Sequence, residues 1–119
     1  MPEETGLRVQ AEPLKDFSVR VFQKMGVPEE DARITADVLV AADLRGIDSH
    51  GVARLRRYVN GLRDGVMVAR PQVQVLAEMP ATALVDAGAG LGQPVATRAM
   101  RKASPSEGAY FPCSSAMIV

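Results

Sequence analysis

The sequence predicts an α+β protein, an N-terminal three-helix unit followed by the first strands and helix of an incomplete mixed domain. Apolar residues recur at helical spacing through the first half, and glycine and proline divide that half into three segments. After Arg70-Pro71 the pattern changes to short runs rich in β-branched residues, which read as strands.

The elements follow in order. From Pro13, the residues Leu14, Phe17, Val21, Phe22 and Met25 fall on one face of a helix that stops at Gly26. A second helix starts at Pro28, has Glu29, Glu30 and Asp31 at its positive end, and carries Ile34, Val38, Leu39 and Ala42 inward as far as about Leu44. After a break at Gly46, Asp48 or Ser49 caps a third helix with the apolar face Val52, Leu55, Val59 and Leu62 and a stop at Gly65. Val73 and Val75, then 82–86, form two strands separated by Pro80. The glycine-rich turn 88–92 leads into a fourth helix from Gln93 to about Lys102. Residues 103–119, with Pro105, Gly108 and Pro112 among serines, show no sustained period and read as a loose tail.

Composition excludes several classes. At 47% hydrophobic and 24% charged, the 119-residue chain has the balance of an ordinary globular domain. Basic and acidic residues both number 14, so no overall field draws it to nucleic acid or anionic lipid. A single cysteine, Cys113, leaves no internal disulfide and too few thiols for a zinc cluster, which suits a reducing cytoplasm. The polar, acidic N-terminus lacks the features of a secretory signal. No apolar run approaches the ~20 residues that span a bilayer. The expectation is a cytoplasmic protein with no membrane, nucleic-acid or metal partner.

The only histidine, His50, stands in Arg45-Gly-Ile-Asp-Ser-His-Gly-Val-Ala-Arg54. If the third helix already includes position 50, His50, Arg54 and Arg57 lie within roughly 60° of arc, opposite Leu55, Val59 and Leu62. Imidazole exchanges protons at physiological pH, and a guanidinium one turn away grips a carboxylate, so the pair fits a small 2-oxo or 2-hydroxy acid. A lone histidine beside serine and aspartate equally suits a capping or surface position, and spacing alone favours that plainer role.

The stretch Ala42-Asp-Leu-Arg-Gly-Ile-Asp-Ser-His-Gly-Val-Ala-Arg-Leu-Arg-Arg-Tyr58, with Asp64-Gly-Val and Asp86-Ala-Gly-Ala-Gly-Leu-Gly-Gln-Pro94, resembles the malate/L-lactate dehydrogenase family of the second, non-Rossmann type. That family also holds sulfolactate and ureidoglycolate dehydrogenases and imino-acid reductases. The resemblance covers about residues 8–102, and Asp-Ser-His-Gly with an arginine four places after the histidine is its most specific part. It implies an oxidoreductase of 2-hydroxy acids such as malate or L-lactate, using NAD or NADP, in a homodimer. His50 would then be the acid/base, Ser49 its assistant and Arg54 the carboxylate anchor; an N-cap role for Ser49 stays equally open.

On this basis the chain divides into an N-terminal arm (1–12), a helical catalytic-corner domain (13–70), the start of the cofactor and sheet domain (71–102) and an irregular tail unlike the family (103–119). Members are much longer and place most of the cofactor site, including an Asn-His-Phe-Gly type segment, beyond the part resembled here. The tail Ser104-Pro-Ser-Glu-Gly-Ala-Tyr-Phe-Pro-Cys113 instead suggests a shortened or frame-shifted product. The chain alone is therefore expected to be inactive, and the alternative reading is a non-catalytic fragment or helical interaction module.

Other signals are weaker. Gly88, Gly90 and Gly92 follow a strand but lack the spacing of a dinucleotide fingerprint, with Gln93 where the last glycine belongs. Arg54, Arg56, Arg57 and Arg63 do not share one stripe that could face a DNA groove. Cys113 as a nucleophile has only the distant His50 as a base.

Overall fold

Why the first half is helical is visible at its ends. In the computed structural model, which describes residues 6–103 and the backbone of 116–118, α1 spans Ala11–Lys24 and α2 spans Glu29–Leu44. Pro13 falls in the first turn of α1, where a missing N–H costs no helical hydrogen bond. Pro28 lies one place before the first residue of α2, and its carbonyl accepts the Ala32 N–H at 2.9 Å. Gly26, Gly46 and Gly65 follow the helical segments with positive φ, as the stop signals required. At the end of α2 the Ile47 N–H reaches the Ala42 carbonyl (2.9 Å) and the Gly46 N–H the Asp43 carbonyl (3.0 Å), a Schellman reversal that turns the chain toward residue 48.

The third helix departs from expectation. Residues 48–54 form two 3-10 turns, Asp48–His50 and Val52–Arg54, and α3 proper is Leu55–Arg63. Gly51, in an extended conformation between the turns, interrupts the ladder that a continuous helix would need. The apolar face nevertheless holds: Leu55 is buried, and Val52, Tyr58 and Leu62 pack against the same core.

That core is Phe22, Val27, Ala32, Leu39, Leu55 and Leu91. The inward faces of α1 and α2 are rotated from the expected stripes. Phe17 and Val38 are about half exposed, whereas Ser18 and Thr35 are fully buried. Both hydroxyls are satisfied by donating back along their own helices, Ser18 to the Leu14 carbonyl (2.9 Å) and Thr35 to that of Asp31 (2.7 Å). Their small volumes, with Ala32 and Ala36, let the two helices approach closely.

The strands β1 (Gln74–Met79) and β2 (Thr82–Asp86) form an antiparallel hairpin with an irregularity between Val75 and Ala77. A third strand, β3 (Ala116–Ile118), pairs parallel to β2, so the sheet order is β1-β2-β3. The apolar end of the expected tail thus extends the sheet, while the rest of that tail, Cys113 included, lies outside the described residues. The arrangement is the expected mixed α+β class.

Helix α4 (Gly92–Ala103) closes the unit against α2. Val95 and Ala99 are buried. Arg98 pairs with the buried Asp31, and Arg101 donates to Glu30 at 3.0 Å. Asp31 therefore does more than complement the helix dipole. On the other side of α2, Lys15 of α1 pairs with Asp37, whose hydrogen bond and charge raise the lysine above its ordinary pKa.

Asp31 is 3% exposed with Arg98 in place, so losing Arg98 leaves a largely buried carboxylate without its cationic partner. Arg98→Ala is expected to cost about 1.5–3 kcal/mol in chemical denaturation. Arg33→Ala, which breaks an exposed pair with Glu29 on the same helix, should cost no more than about 0.5 kcal/mol in the same measurement.

Candidate functional site

The residues singled out from the sequence meet on the segment between α2 and α3. Ser49 and His50 belong to the first 3-10 turn and Arg54 closes the second. Ser49 Oγ lies 2.9 Å from His50 Nδ1, and Arg54 Nη2 lies 3.4 Å from His50 Nε2. Arg54 Nε also donates to the Ser49 carbonyl at 2.7 Å, which ties the arginine stem across the loop. The trio is thus brought together, although not by the helical periodicity expected for it. The hinge at Gly51 folds the two turns onto each other instead.

The group faces solvent. Ser49 and His50 are exposed and Arg54 is partly so. An exposed guanidinium and imidazole carry little intrinsic stabilisation for one another, so their arrangement depends on the backbone beneath. That backbone is held from α2: the Asp43 carboxylate accepts the Val52 N–H at 2.9 Å through Oδ2 and lies directly on Gly51. A Cβ at position 51 would overlap that carboxyl group, so any larger residue would have to displace the Asp43 side chain.

Beneath Arg54, the Tyr58 hydroxyl accepts a hydrogen bond from Gln93 Nε2 (2.9 Å), joining α3 to α4, and the Tyr58 ring tilts against Phe22 with centroids 6.1 Å apart. The side-chain amide oxygen of Gln93, Oε1, is buried without a partner among the described residues. Sequence reasoning missed Asp43, Gly51 and the Gln93–Tyr58 link. Gly51 carried a signal, being a glycine inside an assumed helix. Asp43 carried another, being an acid at a helix C-terminus.

The described residues hold no other comparable cluster. None brings three or more His, Cys, Asp or Glu together as a metal site. An open groove between α1 and α2 is lined by Glu12, Lys15, Asp16, Arg20 and Arg33, whose mixed signs select no single charge and which includes no site residue. No helix among these residues is long and apolar enough to cross a membrane.

The family model for malate/L-lactate dehydrogenase matches residues 9–108. The malate dehydrogenase of Pyrococcus horikoshii is 52% identical over 101 residues, which are 85% of this chain and 28% of that protein. L-sulfolactate dehydrogenase of Methanocaldococcus jannaschii is 47% identical over 89 residues, 75% of this chain and 26% of that one. The solved structure of the Pyrococcus horikoshii OT3 malate dehydrogenase superposes with a TM-score of 0.80, covering 83% of this chain and 28% of the other. The solved sulfolactate dehydrogenase of Methanocaldococcus jannaschii gives 0.78 at 44% identity, covering 81% and 28%. The chain therefore spans little more than a quarter of the length of these relatives. With the family model matched across most of its residues and the fold shared with solved members, the chain belongs to the malate/L-lactate dehydrogenase family.

Proposed function

We propose that residues 48–54 are the proton-transfer and carboxylate-binding corner of an NAD(P)-dependent dehydrogenase acting on a small 2-hydroxy acid such as malate or L-lactate. The observation that carries this reading is the mutual contact of Ser49, His50 and Arg54 on one exposed loop. An arginine N–H can only donate, so the His50 Nε2 facing Arg54 presents its lone pair. The neutral ring then carries its proton on Nδ1 and donates it to Ser49 Oγ. Nε2 is left as the base.

On this reading Nε2 takes the proton of the substrate's C2 hydroxyl, Ser49 fixes the ring and its tautomer, and Arg54 grips the carboxylate with paired N–H donors. In the reverse direction the same imidazole protonates the oxygen of a 2-oxo acid. The names of the relatives, malate and L-sulfolactate dehydrogenase, support a substrate with a carboxylate next to the reacting carbon.

A nicotinamide, NAD or NADP, belongs to the proposal as hydride acceptor, as the dehydrogenase names imply. The described residues do not offer its cradle. In the glycine-rich turn a Cβ at Gly88 would meet the Gln72 backbone and one at Gly90 the Pro71 ring, and the Gly88 N–H is already donated to Asp86 Oδ1 at 2.8 Å. The Cα faces of these two glycines are packed against the chain itself. The chemistry assigned to these residues is accordingly the proton half of the oxidation. The family resemblance also supports a homodimeric, cytoplasmic enzyme, with 13–70 as its catalytic-corner domain and 71–102 as the start of its cofactor and sheet domain. A second reading, a catalytically inactive interaction module, draws on the exposed Val75, Leu76 and Met79 of β1.

Two measurements test the reading. Nitrogen NMR of the neutral His50 ring should show the proton on Nδ1, and Arg54→Ala should release that preference; a ring protonated at Nε2 in the unaltered chain would contradict the geometry. Residues 9–102, grafted in place of the matching segment of the Pyrococcus horikoshii malate dehydrogenase, should support malate-dependent reduction of NAD or NADP. In that chimera His50→Ala should lower kcat about 10²- to 10⁴-fold, and unchanged turnover would eliminate His50 as the base. The 119-residue chain alone is expected to reduce neither cofactor.

A further inference from the structure

We propose that Asp43 is a positioning residue, whose carboxylate clamps the Gly51–Val52 backbone and so sets the spacing between His50 and Arg54. This deepens the reading above and rests on it. The starting point is a local conflict. α2 has three acids in its first turn, where the helix field favours them, and Asp43 in its last turn, where the field opposes it and no basic residue stands before the C-cap Arg45. A side chain that breaks a local rule marks a place where another requirement prevails.

That requirement is visible across the loop. Oδ2 of Asp43 accepts the Val52 N–H at 2.9 Å, nine residues further along. Val52 opens the second 3-10 turn, so its N–H is one of the donors such a turn leaves without an internal partner, and Gly51 before it has no side chain with which to cap. Asp43 acts as that cap from a neighbouring helix. The same carboxyl group rests on buried Gly51, at the junction between the turn bearing Ser49 and His50 and the turn bearing Arg54. Rotation at this junction changes the distance from base to anchor more directly than rotation anywhere else in the loop.

One side-chain bond within the loop spans the two turns, Arg54 Nε to the Ser49 carbonyl at 2.7 Å, and it runs from a partly exposed arginine. Arg54 and His50 touch at 3.4 Å in solvent, a weak contact that gives way to any competing anion. Asp48, although adjacent to Ser49, is exposed. The fixed point is the bond from α2, and α2 is the helix most deeply seated in the core, with Ala32, Ala36 and Leu39 buried.

The test uses the isotopically labelled 119-residue chain and three variants. Asp43→Ala should speed solvent exchange of the Val52 amide about tenfold and move the His50 ring nitrogen resonances, while the Phe22 and Leu39 amides keep their protection. Asp43→Asn, which keeps a neutral acceptor, should recover most of both signals. Gly51→Ala should mimic Asp43→Ala by displacing the carboxylate, and it carries the comparison if Asp43→Ala does not fold. Unchanged Val52 exchange and His50 resonances in folded Asp43→Ala would overturn the clamp, whatever the enzyme does. In the chimera, Asp43→Ala should lower kcat and raise KM for malate, with partial rescue by Asn. Unchanged values where His50→Ala is inactive would overturn the positioning role. A clamp intact by NMR in a chimera indifferent to His50→Ala would instead dismiss the proposed chemistry.

Discussion

The close approach of α1 and α2 is the constraint on which the remaining structure depends. Two helices joined by a short turn pack tightly only if the residues between them are small or self-satisfied. Ser18, Ala32, Thr35 and Ala36 meet that condition, with each hydroxyl bonded to its own helix. Phe22 and Leu39 then fill the space at either side, each worth about 1.5–3 kcal/mol of apolar burial. With α2 fixed in this way its two ends become anchoring points. The N-terminal end, through Glu30 and Asp31, receives Arg101 and Arg98 of α4. The C-terminal end, through Asp43, receives the loop that carries the histidine.

Charge follows the same division of labour. The chain has no net charge, and most ion pairs among the described residues lie at the surface, where they contribute little. The exception is Asp31 with Arg98, because one partner is almost fully buried while the other reaches it from a helix 67 residues away in sequence. A pair so placed fixes the docking of α4 on α2 more than it adds to stability. Docking α4 in turn brings Gln93 to the Tyr58 hydroxyl, which steadies α3 immediately after Arg54.

What the sequence revealed and concealed has a physical pattern. Helix ends were legible because glycine after the last periodic residue is a local signal, and Gly26, Gly46 and Gly65 all stand there with positive φ. The hairpin was legible because β-branched runs flank Pro80. Helix faces were harder, since hydropathy places Phe17 and Val38 inside and cannot foresee that Ser18 and Thr35 satisfy themselves internally. The two 3-10 turns were hidden for a different reason: Gly51 answers to a carboxylate eight positions earlier, a tertiary contact without a periodic trace. The site residues were found through the resemblance, and their contact in space came from a fold at Gly51 that a continuous helix would not have made.

The unliganded geometry also bears on how the proposed corner would receive an acid. Arg54 spends one donor on the Ser49 carbonyl and turns another toward the His50 Nε2 at 3.4 Å, the weaker of the two contacts by length. A carboxylate is a charged acceptor with two oxygens, and hydrogen bonds to it are roughly twice as strong as those to a neutral partner. On the proposed reading a substrate carboxylate would compete with His50 for this donor, while the Arg54 Nε bond to the Ser49 carbonyl would hold the stem in place. Such an exchange would uncover Nε2 as the acid arrives, with Nδ1 still within hydrogen-bond reach of Ser49 Oγ. On that reading carboxylate capture and exposure of the base would be a single event, which would require that the spacing between the two turns stay fixed throughout.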